Sequence, residues 1–96
     1  MKVKNINGTS QSSCSCGSWL DHWEKFSGQA LPTFCSEEKC MKKPVVGAHV
    51  QKDDSDDKGW YIVPLCKTHN EETGKSLIIS DFIILVSANV SKTCGN

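Results

Sequence analysis

The sequence predicts a small α+β fold that depends on its cysteines for part of its stability, and three observations lead to this expectation. The chain has 96 residues, the usual size of one small domain. Helical and strand patterns alternate along it, with turn residues between them. Six cysteines contribute to a hydrophobic fraction of only 38%, so the remaining apolar core is thin. Small domains of this kind are commonly stabilised by disulfides or a metal. We predict one domain over residues 1–96.

The first half of the chain predicts one short strand and one helix. Val3 and Ile6 indicate a short strand at an edge of a sheet. The segment GSWLDHWEKFSG, residues 17–28, predicts a helix that begins after the N-cap Ser18 and ends at Gly28. Its aromatic residues recur at helical spacing and predict one face packed against the core: Trp19, Trp23 and Phe26.

The second half of the chain predicts two β-hairpins with a short helix between them. The segments VVGAHV (residues 45–50) and WYIV (residues 60–63) predict the first hairpin, which has a long acidic tip. The segment LCKTHNEETG (residues 65–74) predicts the short helix. Two apolar runs, at residues 77–79 and 82–86, lie on either side of a turn and predict a C-terminal hairpin.

The N-terminal segment and the lengths of the apolar runs indicate whether the cysteines lie in an oxidising or a reducing compartment. Residues 1–17 lack the apolar core that a secretory signal needs. The longest apolar run, residues 82–86, is far too short to span a bilayer. We therefore expect a cytoplasmic protein that does not contact a membrane. In a reducing cytosol, clustered cysteines usually bind metal.

The charge pattern bears on possible partners. The 11 basic residues balance the 11 acidic ones, and all 11 are lysines. A domain that grips nucleic acid usually has a basic surplus, and arginine is the favoured residue for bidentate contacts to phosphate. Lys39, Lys42 and Lys43 form a local cluster that keeps nucleic-acid binding open, although a solvated face is the other interpretation. The partner can be a protein or a nucleic acid.

The strongest chemical pattern combines Cys35, Cys40, Cys66 and His69. Two ligands come from a loop with four residues between the cysteines, and two come from the start of the second helix. Positions i and i+3 share one face of a helix, so Cys66 and His69 can bind the same ion. Three thiolates and one imidazole are typical of a tetrahedral structural zinc site. We predict one zinc at this set.

The other cysteines predict a second zinc site. Cys14 and Cys16 form a compact pair, and Cys94 can approach them because the termini of small domains often lie close together. One histidine would complete the site, and His49 and His22 compete for that position. We favour His49, because its small neighbours leave room for a buried group and His22 has a poor angle for tetrahedral geometry. Two other interpretations stay open: the three cysteines bind nothing, or two of them form a disulfide.

The order of cysteine loop, β-hairpin and helix, with the segments VGAHV and YIVPLCKTHN, resembles the treble-clef zinc finger of HNH endonucleases. The resemblance covers about residues 35–75. It implies a treble-clef core in which the central set is the structural zinc site. The loop departs from the family, because four residues separate Cys35 from Cys40 where two are usual.

The same resemblance assigns nuclease roles by position. His49 matches the strand histidine that acts as general base. Ala48 stands where the family has a metal-binding residue, and Tyr61 stands where it has an asparagine that orients the base. His69 takes the place of the second helix cysteine, and Asn70 takes the place of the catalytic metal ligand on the helix. The chain thus keeps one catalytic group and one weak ligand, whereas phosphodiester hydrolysis in this family needs the metal as well as the base.

These observations lead to three hypotheses. The first is a small non-catalytic zinc-binding module with an HNH-like core and a role in binding or assembly. The second is a divergent HNH-type metal-dependent endonuclease that uses His49. The third is a nucleic-acid binding module that does not cleave its ligand.

Overall fold

The computed structural model describes residues 1–6, 18–53, 56–72 and 74–88, and in these residues five strands form one antiparallel sheet accompanied by two helices. The elements are β1 (Lys2–Asn5), α1 (Trp19–Ser27), β2 (Val46–Lys52), β3 (Tyr61–Leu65), α2 (Lys67–Asn70), β4 (Ser76–Ile78) and β5 (Val86–Ser87). The strands lie in the order β4-β1-β2-β3-β5. The predicted α+β class is confirmed.

The β2–β3 hairpin forms the centre of the sheet, as its sequence predicts. Ala48 lies opposite Val63, and His49 lies opposite Ile62. Because successive side chains of a strand point to opposite faces, these two pairs lie on different sides of the sheet. We call the side of Ala48 and Val63 the cysteine face, and the side of His49 and Ile62 the helix face.

The cysteine face carries the larger hydrophobic core. Strand residues from β1, β2, β3 and β4 pack there against Cys35 and Cys66. These strand residues are Val3, Ala48, Val50, Val63, Leu65 and Leu77. Val3, Val50, Val63 and Leu65 are fully buried. Because Cys35 and Cys66 belong to this core, the chemistry of their thiols is coupled to the packing of the sheet.

Helix α1 covers the helix face. Its predicted start is confirmed, because the backbone N–H of Asp21 donates to the Ser18 hydroxyl at 3.0 Å. Its predicted end is also confirmed, because Gly28 adopts a left-handed φ of 71°. Trp23 is fully buried and donates its indole N–H to the carbonyl of Ile84 at 2.7 Å. Phe26, in contrast, is 38% exposed, so the buried face of α1 is narrower than the aromatic spacing predicts.

The predicted C-terminal hairpin is wrong. Strand β4 pairs with β1, where Val3 lies opposite Leu77, and strand β5 pairs with β3, where Ile62 lies opposite Val86. The two apolar runs therefore lie on opposite edges of the sheet. Strand β1 is an interior strand between β2 and β4, where the sequence predicted an edge. An alternating pattern identifies a strand but not its partner, and these partners are far apart along the chain.

The tip of the β2–β3 hairpin is closed by Asp57. Its carboxylate accepts hydrogen bonds from the Tyr61 hydroxyl and from the backbone N–H of Gly59 at 2.8 Å, and it pairs with Lys52 at 3.2 Å. The Tyr61 hydrogen bond is the largest of the effects that lower the pKa of Asp57 to about 2. The same hydrogen bond raises the pKa of Tyr61, because losing the phenol proton would leave two negative charges in contact.

Replacing Asp57 with asparagine is expected to lower the pKa of Tyr61 toward its ordinary value. Tyr61 is the single tyrosine of the chain, so ultraviolet titration reports this phenol alone. The hydrogen bond contributes stability below the ordinary pKa of tyrosine and is lost as the pH rises through the raised value. On the acid side, its contribution is present above the ordinary pKa of Asp57 and is lost as the pH falls toward about 2. The exposed neighbour Asp56 provides the control, and an unchanged midpoint in Asp57→Asn would contradict this contact.

Candidate metal centre

The structure brings the four central residues together. The ligand atoms of Cys35, Cys40, Cys66 and His69 all lie within 4.8 Å of one another. His69 Nδ1 is 3.4 Å from both the Cys35 and Cys66 Sγ atoms, and the Cys40 and Cys66 Sγ atoms are 3.9 Å apart. Tetrahedral zinc with bonds of about 2.3 Å to sulfur and about 2.1 Å to nitrogen places its ligand atoms roughly 3.6–3.8 Å apart. The cluster could therefore hold a metal ion.

Cys66 and His69 are positioned by the junction between β3 and α2. Cys66 is the N-cap of α2, and its Sγ accepts the backbone N–H of His69 at 3.5 Å. Its carbonyl accepts the backbone N–H of Asn70 at 3.0 Å, which closes the helical turn. The helix ends at Asn70, so it is shorter than the predicted span of residues 65–74. One turn is enough to place both ligands on the same side.

The loop that carries Cys35 and Cys40 is closed by its own backbone. The N–H of Cys35 donates to the carbonyl of Lys42 at 2.7 Å, and the N–H of Cys40 donates to the carbonyl of Glu37 at 3.0 Å. The N–H of Lys42 also donates to the Cys40 Sγ at 3.4 Å. The turn from Glu37 to Cys40 takes up the extra residues, so a four-residue interval still lets both sulfur atoms face the same point.

The loop is also tied to the sheet. The N–H of Ser36 donates to the carbonyl of Pro64 in β3 at 3.0 Å, and the N–H of Ser80 donates to the carbonyl of Ser36 at 2.9 Å. Glu37 forms an isolated antiparallel bridge with Ile79. These contacts fix Cys35 beside the end of β3, where Cys66 follows.

Glu72 is a carboxylate beside the cluster that the sequence patterns did not indicate. One of its carboxylate oxygens lies 3.8 Å from His69 Nε2, the ring nitrogen that does not face the sulfur atoms. This distance is longer than a hydrogen bond, but it places a carboxylate on the side of the ring where metal-binding histidines usually find an acceptor for their second N–H. The available signal was a carboxylate three residues after the histidine.

Asn5 was also not predicted, and it anchors α2 from the sheet. Its side-chain amide donates to the carbonyls of His69 at 2.9 Å and Asn70 at 2.8 Å, and the residue is fully buried. The last carbonyls of a helix have no partner within the helix. The Asn5 amide supplies a donor to the carbonyl of Asn70 and adds a second donor to the carbonyl of His69, which also accepts the backbone N–H of Glu72 at 3.2 Å. Asn5 thereby holds His69 in place from the distant strand β1.

Replacing Asn5 with alanine is expected to lower the free energy of unfolding by about 2 kcal/mol, because the carbonyls of His69 and Asn70 each lose the hydrogen bond from its buried amide. Urea unfolding of the metal-loaded protein measures this effect. Lys4→Ala, at the exposed neighbouring position, is the control and should be nearly neutral. Equal stability of the two variants would show that Asn5 does not hold α2.

The thiols differ in acidity because their surroundings differ. Burial, together with the nearby sulfur atoms of Cys66 and Cys40, raises the pKa of Cys35 to about 12. Burial acts in the same direction on Cys66, but the N–H of His69 and the hydrogen bonds from Cys35 and Cys40 outweigh it and lower its pKa. A metal bound here must therefore displace at least the Cys35 proton, so its affinity should rise with pH.

Of the second predicted site, the structure describes only the histidines. Cys14, Cys16 and Cys94 lie outside the described residues, so this set stays a prediction. His49 lies on the helix face, away from the central cluster, with its ring centroid 4.7 Å from that of Trp19.

The two competing histidines differ in their contacts. Among the described residues, the buried Nε2 of His49 has no hydrogen-bond partner. Burial lowers the pKa of His49, and the nearby His22 adds to this effect. Nε2 of His22 lies 2.9 Å from the carbonyl of Ser87, so that nitrogen already has a partner.

The nuclease-type positions meet only in part. His49 and Asn70 border one cavity of about 280 Å³ whose other walls are mostly apolar, with Trp19 among them. Ala48 also borders this cavity, although the alternation of the strand directs its side chain to the cysteine face. Tyr61 lies on the cysteine face and does not border the cavity. The described residues therefore gather one imidazole and one amide at this cavity, and no carboxylate lines it.

Fold and site together define a small α+β domain with a cluster of three cysteines and one histidine that could hold a metal ion. Comparison with protein-family models, curated proteins and solved structures found no match to the chain. The treble-clef type and the HNH-like type stay predictions. Neither helix in the described part of the chain is long and apolar enough to cross a membrane.

Proposed function

We propose that this chain is a small non-catalytic zinc-binding module in which the metal holds the fold together and the surface binds a partner. The observation that carries the proposal is the convergence of Cys35, Cys40, Cys66 and His69 at distances suited to one tetrahedral ion. Soft thiolates with one imidazole favour zinc over magnesium, calcium or manganese, which prefer oxygen ligands.

The ligand set supports a structural role for the metal. Catalytic zinc sites usually have three protein ligands and leave the fourth position to water or substrate, whereas structural sites use four protein ligands. Here four protein ligands fill the tetrahedron. Cys35 and Cys66 are also buried in the core of the sheet, as expected of ligands that hold the fold together.

Zinc content per chain tests the proposal, measured by elemental mass spectrometry on protein purified without added metal. The central site predicts at least one zinc per chain, and Cys40→Ser is expected to lose one. A Cys14→Ser/Cys16→Ser variant should keep the central zinc, and it loses a second zinc only if the predicted second site exists. A wild-type chain that contains no metal and takes up none would overturn the proposal.

A metal-dependent nuclease that uses His49 is the second candidate, and the cavity shared by His49 and Asn70 favours it. Plasmid DNA incubated with magnesium, manganese or nickel separates the two candidates. The binding module predicts equal absence of nicking in the wild type and in His49→Ala. The nuclease predicts nicking that His49→Ala abolishes.

A further inference from the structure

A groove with exposed aromatic rims lies beside the metal cluster. It has a volume of about 270 Å³, and its lining includes Pro32, Phe34, Phe82 and Ile83. We call it the Phe82 groove. Phe82 is 83% exposed and Phe34 is 46% exposed, although large aromatic side chains are normally covered. Cys35 and Cys40 of the metal cluster also line the groove. Exposed aromatic side chains that line one groove are a feature of protein interaction sites.

The backbone around Phe82 is held in place before any partner arrives. The side-chain amide of Gln29 donates to the carbonyl of Phe82 at 2.6 Å, and its oxygen accepts the N–H of Ile84 at 3.1 Å. The N–H of Ile83 donates to the carbonyl of Ser80 at 3.0 Å. A side chain displayed on a fixed backbone loses less conformational entropy on binding, so Phe82 is suited to anchor a partner.

The charged side chains around the groove favour a basic partner. Glu37 and Glu38 line it. Asp81 occupies the adjacent turn, but its carboxylate is paired with the N-terminal amine at 3.6 Å, so the two glutamates provide the acidic charge of the groove. Among the described residues, no lysine lines the groove. A second copy of the chain docked here symmetrically would bring like carboxylates together, and nucleic acid would bring phosphates toward them. A basic partner has neither conflict.

We propose that the Phe82 groove binds a protein segment that presents a large apolar side chain next to lysine or arginine. The apolar side chain packs between Phe34 and Phe82, and the basic residue faces Glu37 and Glu38. This inference rests on the proposed function, because the zinc ligands Cys35 and Cys40 form part of the groove wall.

Two short fluorescent peptides with the same central leucine test the proposal, one flanked by lysines and the other by glutamates. Fluorescence polarisation with the zinc-loaded protein should show that the lysine peptide binds at least about tenfold more tightly. Amide shifts in a nuclear magnetic resonance titration should be centred on Phe34 and Phe82. Equal affinity for the two peptides, or no affinity for either, overturns the proposal.

Matched variants locate the binding surface. Phe82→Ser should weaken binding of the lysine peptide at least about tenfold without changing the melting temperature, because the side chain is mostly exposed. Met41→Ser, at a 77% exposed position that does not line the groove, should bind as the wild type does. Glu38→Lys should reduce the preference for the lysine peptide. Loss of binding in Met41→Ser but not in Phe82→Ser overturns the assignment.

The remaining measurements distinguish a different ligand of the Phe82 groove from a failure of the proposed zinc function. Self-association that Phe82→Ser abolishes would make a second copy the occupant and overturn the proposal. Binding of a DNA duplex that competes with the lysine peptide would also overturn it. A zinc-loaded chain that binds neither peptide refutes this inference alone. A metal-free chain that still binds the lysine peptide refutes the proposed zinc function and leaves the groove assignment standing.

Discussion

Removing the metal from the central cluster is expected to unfold the chain. Cys35 and Cys66 are buried within the main core, and the loop and the helix that carry the ligands are joined to β3 through a few hydrogen bonds. Without an ion, the three free thiols and the imidazole retain only weak contacts with one another.

The expected size of this effect follows from the magnitudes involved. A structural zinc can contribute on the order of 10 kcal/mol to folding. The whole stability of a small domain is about 5–15 kcal/mol. A metal contribution of this size is therefore comparable to the total, and its loss should shift the chain from mostly folded to mostly unfolded.

Circular dichroism during titration with a strong zinc chelator measures the transition, and re-addition of zinc should restore the signal. Cys66→Ser should behave like the chelated protein even with zinc present. His69→Cys keeps a fourth ligand of a kind that zinc accepts, so it should remain folded, whereas His69→Ala should not. A chelated chain whose spectrum and melting temperature match those of the zinc-loaded protein would contradict the proposal.

The pH should also change zinc-dependent folding, and the direction of this change follows from the pKa of the Cys35 thiol. Burial raises the pKa of Cys35 to about 12, so its proton competes with the metal throughout the neutral range. Zinc affinity and zinc-dependent stability should therefore fall as the pH falls. Zinc titrations at several pH values measure this slope, and Met41→Ser serves as a control that should show the same dependence.

The cluster of three cysteines and one histidine was predictable from the sequence because each half of it is local. The interval from Cys35 to Cys40 and the interval from Cys66 to His69 each lie within one turn or loop, and the central hairpin between them has a clear strand pattern. The residues that support the ligands were not predictable in this way. Asn5 reaches α2 from a strand far away along the chain, which depends on how β1 pairs.

Strand pairing is also why the C-terminal hairpin was predicted wrongly. Residues 77–79 and 82–86 have the pattern of two adjacent strands with a turn. These segments instead pair with β1 and β3. Leu77 packs in the hydrophobic core on the cysteine face, and Val86 packs in the core on the helix face. A local pattern contains no information about which distant edge is free, so the choice between these pairings needed the structure.

Gly47 shows a second limit of prediction from sequence and leads to the last prediction. The small residues beside His49 predict room for a buried group. At Gly47 that room is occupied by the backbone of α1: a Cβ there would lie 2.4 Å from the carbonyl carbon of Trp19 and 2.6 Å from the backbone nitrogen of Leu20. The glycine is thus required for the close approach of the helix to the sheet.

Gly47→Ala is therefore expected to destabilise the chain by about 3 kcal/mol. The clashing atoms belong to the backbone, so no change of rotamer relieves the contact, and the first turn of α1 must move away from β2. That movement would loosen the packing of Trp23 on Ile62. A loss of this size should lower the melting temperature by about 10 °C or more, measured with the zinc-loaded protein.

Gly28→Ala is the matched control. It makes the same substitution at the C-terminal end of α1, whereas Gly47 lies against the first turn of that helix. Gly28 has a left-handed φ of 71°, but a Cβ added there would meet no atom within 4 Å, so only its backbone conformation opposes alanine. That cost is about 1 kcal/mol. Zinc content should stay at the wild-type value in both variants, since the metal cluster lies on the other face of the sheet. If Gly47→Ala were no less stable than Gly28→Ala, the helix would not approach the sheet as closely as described, and the cavity beside His49 would have a different shape.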